Sequence, residues 1–178
     1  MQLVILGLLL GEALSLYDVR KRFTAGISLF YSASFGSIQR ALTQLVESGA
    51  VTVAQVEADA RGKKLYAVTA AGRERWRAEM LAPLSGGTDA ETQALARIYL
   101  LGRLDSPADR PGVLELIRAH AETSLATLRT LEVQVDAAAT GLTEDQHRVF
   151  GFQRATLDYG LRSHELLLRW VDELRERA

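Results

Sequence analysis

At 178 residues, with 48% hydrophobic and 24% charged content, the chain is long enough to bury a core and too apolar for wholesale disorder. It has no cysteine, which excludes disulfides, thiolate metal centres and cysteine nucleophiles and fits a reducing cytoplasm. The net charge of −1 conceals a split: residues 1–82 carry ten Lys/Arg against seven Asp/Glu, and residues 83–178 carry eleven against fifteen.

The opening run Leu3-Val4-Ile5-Leu6-Gly7-Leu8-Leu9-Leu10 has no preceding Lys or Arg, and Glu12 and Asp18 follow where a signal peptide would be cut. A bilayer span needs ~20 apolar residues, so this run predicts a buried first helix instead, from about Gln2 to Leu10. Ser15 with Asp18 forms a capping-box-like start for a second helix through Leu16, Val19 and Phe23, with Arg20, Lys21 and Arg22 outward. A third helix begins near Ser34 to Ser37 and stops before Gly49, its apolar positions Ile38, Leu42, Leu45 and Val46 falling on one face. Strands Val51 to Val56 and Lys64 to Val68 then flank a hairpin tip at Asp59 to Lys64. Thr69 caps a fourth helix, Ala70 to about Leu81.

Residues 83–88, Pro-Leu-Ser-Gly-Gly-Thr, read as a linker at the point where the charge balance changes sign. The expected domains are therefore 1–82, a winged helix-turn-helix with a two-stranded wing, and 89–178, a helical dimerisation or effector domain. The back half predicts helices over about Asp89 to Gly102, Pro111 to Ala139, and from a Thr143/Gln146 capping box toward the C-terminus. Leu114, Ile117, Ala121, Leu125, Leu128, Leu131 and Val135 advance by threes and fours, close to a heptad seam. Two long amphipathic helices bury little area alone, which predicts a partner helix from a second copy.

Helix three displays Ser37, Gln39, Arg40, Thr43, Gln44 and Glu47 on its outer face. Gln and Arg match adenine and guanine edges in the major groove, while Ser34, Ser37 and the free N–H groups of a helix start suit phosphate oxygens. Arg61, Lys63 and Lys64 put cations at the hairpin tip, one short strand away, where they can grip flanking phosphate. A solvated helix face and a charged turn are each common, so the weight rests on their combination. The sequence thus predicts a double-stranded DNA reader and neither an enzyme nor a membrane protein.

The stretches ILGLLLGEALSLYDVRKRF, FYSASFGSIQRALTQLVESGAV and RGKKLYAVTAAGRERW resemble the PadR family of bacterial transcriptional regulators. The shared features are the leucine-rich first helix, the Tyr17 to Phe23 motif, the Ser34 to Ile38 entry, the basic wing and the Tyr66 to Gly72 exit. The segment Phe152 to Gly160, with Leu166 to Trp170, is similar to the closing helix of the longer members. The resemblance implies a homodimer joined through its C-terminal helices, and repression relieved by a small ligand or a protein partner. Gln39 and Arg40 stand where many relatives have tyrosine and proline, so the contact made by that tyrosine does not carry over.

No enzyme motif competes. His120, His147 and His164 are isolated on helices without metal-ligand spacing, and no GxSxG, phosphate loop or dinucleotide fingerprint occurs. No cofactor is implied. Trp76, Tyr99, Phe152 and Trp170 are candidates to line a pocket for a small aromatic effector between subunits, with core packing as the competing role. The alternative function is a winged-helix protein–protein module, favoured by the modest basic excess of the head and by Glu47 on the reading face.

Overall fold

The computed structural model describes residues 1–56, 64–87 and 89–177, and its contacts divide it into two compact units, Met1–Val113 and Leu114–Ala178. The first unit thus runs on past residues 83–88. Its centre is α1 (Gln2–Leu9), buried from Val4 to Leu9 and packed against the four helices that follow. An eight-residue helix that is apolar all round has no polar face to give to water, which is why it lies inside.

Helix α2 (Leu16–Thr24) starts at the expected capping box: Asp18 N donates to Ser15 Oγ at 3.2 Å and Ser15 N donates to Asp18 Oδ2 at 3.3 Å. Val19 and Phe23 are buried, and a 3-10 turn at Ile27–Leu29 leads on toward Ser34. Helix α3 (Phe35–Glu47) buries Ile38, Ala41, Leu42 and Leu45. Ala41 takes the place expected for Val46, which is only half-buried, because the stripe centres between Ile38 and Leu45. Each fully buried Ile or Leu contributes about 1.5–3 kcal/mol, so this face holds the helix down without help from the outer one. Gly49 follows the helix with φ +71, the left-handed conformation expected of a residue just past a helix end.

Strands β2 (Val51–Val56) and β3 (Lys64–Val68) pair antiparallel, Val51 opposite Val68 and Val53 opposite Tyr66, with a bulge between Val53 and Gln55. A short strand β1 (Leu14–Ser15) adds to the other edge of β3, giving the order β1-β3-β2. The sequence predicts two strands; two residues are too few to show period-two alternation, so the third escapes it.

Helix α4 (Ala70–Leu81) begins at the tightest junction of the unit. Thr69 Oγ1 accepts from Gly72 N at 3.0 Å and donates to Gly49 O at 2.7 Å, while Thr69 N donates to Ala50 O at 3.0 Å. A Cβ on Gly72 would sit 2.0 Å from Ala50 O, so only glycine lets the two backbones meet. Helix α5 (Ala90–Leu100) follows, then 3-10 turns at Leu101–Arg103 and Pro107–Asp109, and α6 (Arg110–Ala138) starts directly after them.

The second unit is the body of α6 and α7 (Glu144–Arg175), the latter opened by the Thr143/Gln146 capping box. Arg118 pairs with Asp172 at 2.9 Å, Arg129 with Glu165 at 3.3 Å and Arg154 with Asp136 at 2.7 Å. As the α6 partner advances from Arg118 through Arg129 to Asp136, the α7 partner retreats from Asp172 through Glu165 to Arg154, which defines an antiparallel hairpin. Leu114, Ile117, Ala121 and Leu125 are buried, whereas Leu131 of the same seam is 43% exposed.

Gly72→Ala should cost about 1–3 kcal/mol or more, the scale of overpacking in a closed site, because backbone must move. Urea unfolding followed by circular dichroism measures it; a midpoint equal to the parent's would remove the close approach from the account.

Candidate nucleic-acid interface

With its apolar face buried, α3 turns Gln39, Arg40, Thr43, Gln44 and Glu47 outward, all exposed. Among the described residues, the Gln39 amide and the Arg40 guanidinium carry no hydrogen bond or ion pair, so both are available to a partner. Thr43 differs: its hydroxyl donates to Gln39 O at 3.1 Å, leaving it only as an acceptor. Gln44 is further committed. Its Oε1 accepts from Gln2 Nε2 of α1 at 3.0 Å, and Gln2 Oε1 in turn accepts from Arg75 of α4. At the edge of the face, Gln44 therefore anchors the helix as well as bordering its outer surface.

The N-terminus of α3 is closed by its own serines. Ser37 N donates to Ser34 Oγ at 3.1 Å, and Ser37 Oγ donates to Ser34 O at 2.8 Å. Ser34 is exposed and Ser37 half-buried. The cap leaves the remaining N–H groups of the first turn, with the positive end of the helix dipole, pointing out of the unit.

Beside this face runs a groove of about 600 Å³, lined by Tyr17, Phe35, Gln39, Lys64 and Tyr66 together with the start of α2. It brings α3 and the start of β3 together: Gln39 and Lys64 line the same groove. Lys64 is exposed at the start of β3, while Arg61 and Lys63 lie outside the described residues.

Tyr17, Arg20 and Phe35 also belong to this surface, a grouping that their spacing in the sequence does not show. Tyr17 is 68% exposed and Phe35 47%, and the Arg20 guanidinium stands 6.0 Å over the Phe35 ring. Arg20 had been placed on an outward face, but nothing in its spacing linked it to Phe35. An aromatic at the first position of a helix normally counts toward the core, and only tertiary packing turned this one out.

The four residues expected around an effector fall in different places. Trp76 is buried in the first unit and Tyr99 is half in water, its ring tilted 53° to that of Phe30 with centroids 6.0 Å apart. Phe152 is 77% exposed and Trp170 is half-buried, both on α7. Eighteen residues of helix put those two ~27 Å apart along its axis, too far to line one small cavity within a single chain.

Comparison with known proteins bears on the whole length. Residues 5–78 match the model of the transcriptional regulator PadR-like family, and residues 93–178 match the model described as virulence activator alpha C-term. A probable transcriptional regulator of Mycobacterium tuberculosis, Rv1176c, is 32% identical over 178 aligned positions, covering 93% of this chain and 90% of that one. Among solved structures, Bacillus subtilis PadR in complex with operator DNA is 18% identical, with a TM-score of 0.46 over 99% of this chain and 97% of that one. The Vibrio cholerae virulence activator AphA is 23% identical, with a TM-score of 0.42 over 99% and 96% of the two chains.

Proposed function

Because this chain belongs to the transcriptional regulator PadR-like family, we propose that it binds operator DNA through α3 and the wing, as a homodimer, and acts by binding rather than by catalysis. The observation that carries the reading is the uncommitted pair Gln39 and Arg40 at the centre of an exposed helix face whose other side is fully buried. In this reading Gln39 and Arg40 meet base edges in the major groove, Thr43 accepts a hydrogen bond there, and Gln44 orients the helix through Gln2. Ser34, Ser37 and the first turn of α3 sit against phosphate, with Arg61, Lys63 and Lys64 gripping the backbone alongside.

Tyr17 and Phe35 add an apolar element beside the polar readers. Exposed rings at the edge of a recognition helix suit the C5-methyl group of thymine, a contact the major groove offers at A·T pairs. With tyrosine absent at position 39, these rings are the aromatic surface nearest to the reading face.

For the homodimer the support is the second unit. Phe152, Tyr159 and Leu166 of α7 stand in water, 77%, 74% and 60% exposed, although α7 already packs on α6 through Leu161 and Val171. An apolar face left over after the hairpin has formed suits a second copy of the same helix pair. Among the described residues no helix is long and apolar enough to cross a membrane.

Three measurements test the reading. In titrations of its own upstream promoter at two salt concentrations, changing Arg61, Lys63 and Lys64 together to Ala should lower the slope of log affinity on log salt by ~2–3, at ~0.9 per phosphate contact, and Arg40→Ala should relax base preference at one position by ~1–3 kcal/mol. No enrichment for the promoter over bulk DNA would leave the winged helix as a protein-binding module. Replacing thymines of the site by deoxyuridine should weaken the parent protein and leave Phe35→Ala indifferent; equal losses in both would take Phe35 off the thymine methyl. In analytical ultracentrifugation, Phe152→Glu with Tyr159→Glu should turn dimer into monomer at micromolar concentration, and an unchanged sedimentation coefficient would place the dimer contact elsewhere.

A further inference from the structure

Beneath the turn that leads into α3, the first unit holds a cavity of about 540 Å³, within the range of small-molecule sites. It is walled by the start of α1, by Phe30 to Ser32, by Glu79 of α4 and by Asp89 and Arg97 of α5. None of the four aromatics expected from sequence to hold an effector lines it.

The cavity opens to solvent at Ser32, Ser85 and Asp89, and buried polar groups line its inner wall. Arg97 is 4% exposed, and its two terminal nitrogens donate to Ala82 O and Pro83 O. Arg97 Nε is buried with no hydrogen-bond partner, and so is Glu79 Oε2. Native interiors rarely leave such atoms unmatched, so an unmatched donor and an unmatched acceptor on two residues that line one cavity point to a missing third party. Asp89 adds a second carboxylate at the first residue before α5, yet its side chain makes no capping bond to that helix.

The charge balance then selects the ligand. Two carboxylates face one guanidinium, which its backbone carbonyls already hold in place. The remaining cationic group on the wall, the Met1 amine, is pushed toward its neutral form by burial, against the opposing pull of Glu79 and Asp89. Burial likewise raises the Tyr31 pKa and keeps that ring neutral. Phe30 and Tyr31 supply flat aromatic surface, and aromatic faces attract cations.

We propose that this cavity binds a small organic cation, a protonated amine on a flat apolar body, with the nitrogen donating to Glu79 Oε2 and the body lying against Phe30 and Tyr31. An acceptor elsewhere on the ligand meets Arg97 Nε. Asp89 supplies the second negative charge. The site is placed to affect DNA reading, and that part rests on the proposed function above. Gln2 lines the cavity and also holds Gln44 of α3, while Phe30, Tyr31 and Ser32 run almost directly into the Ser34 cap. A ligand pressing on either wall changes the seating of the reading helix at its N-terminus or at its Gln44 edge.

Calorimetry on the full chain with two indoles of opposite charge tests the site. Tryptamine, the ammonium, should bind at least about tenfold more tightly than indolepropionate, the carboxylate. Glu79→Gln and Asp89→Asn should each weaken tryptamine, Glu79→Gln by about tenfold, with circular dichroism melts confirming that both variants fold. Equal or tighter binding of indolepropionate overturns the proposal, as does tryptamine affinity unchanged by Glu79→Gln in a folded variant. A promoter titration on the same samples separates the two readings. Tryptamine should shift the parent's DNA affinity and leave that of Glu79→Gln unmoved; a parent that binds tryptamine but shows no promoter preference without it overturns the DNA reading and leaves the site standing.

Discussion

The end of α3, the root of the wing and the start of α4 meet in one contact, where Gly72 lies against the carbonyl of Ala50. Thr69 closes the contact from both sides, taking the N–H of Gly72 and giving its own hydroxyl proton to Gly49 O. Three elements are thereby referred to one backbone point. The reading helix keeps a fixed angle to β2 because Gly49 can turn left-handed, and β3 keeps its distance because Thr69 N is bonded to Ala50 O. A loose joint here would let the helix and the wing root drift independently, and a groove shared by Gln39 and Lys64 would not persist.

The outer face of α3 is divided by what each side chain already holds. Gln39 and Arg40 are uncommitted, Thr43 is half spent on its own helix, and Gln44 is tied through Gln2 to Arg75. The free residues occupy the centre and the anchored one the edge, so that the uncommitted polar groups and those that seat the helix are neighbouring but different. The Gln2–Gln44 bond also links α1, and the cavity beside it, to the outer face of α3. Arg97 shows the same economy at the other end of the cavity: its guanidinium ties the residues after α4 to α5, and burial lowers its pKa while Glu79 raises it.

In the second unit, charge aligns the helices and apolar area is left over. The pairs from Arg118 to Arg154 fix an antiparallel register, with Arg154 braced by both Glu132 and Asp136. Exposed pairs of this kind contribute little stability each. Their value is in setting which faces meet, and that leaves Phe152, Tyr159 and Leu166 outward.

Local signals were legible without coordinates. The two capping boxes, the start of α3 near Ser34, Gly49 past the helix end and the Thr69 cap all rest on contacts within a few residues, which is the range over which sequence speaks directly. The outward residues of α3 followed from its period, since a helix that buries Ile38, Leu42 and Leu45 must expose Gln39, Arg40 and Thr43. Tertiary structure alone decided the rest. The strand at Leu14–Ser15 exists only because β3 offers it an edge, and Phe35, on the same helical face as the buried Ile38 and Leu42, is nevertheless 47% exposed. Gln44 is an anchor because Gln2, 42 positions away, reaches it, and Glu79 and Arg97 share a cavity because α4 and α5 fold over α1. Periodicity records which side of an element is apolar; it carries no information on which distant side chain completes a hydrogen bond, and those long-range partners set the site.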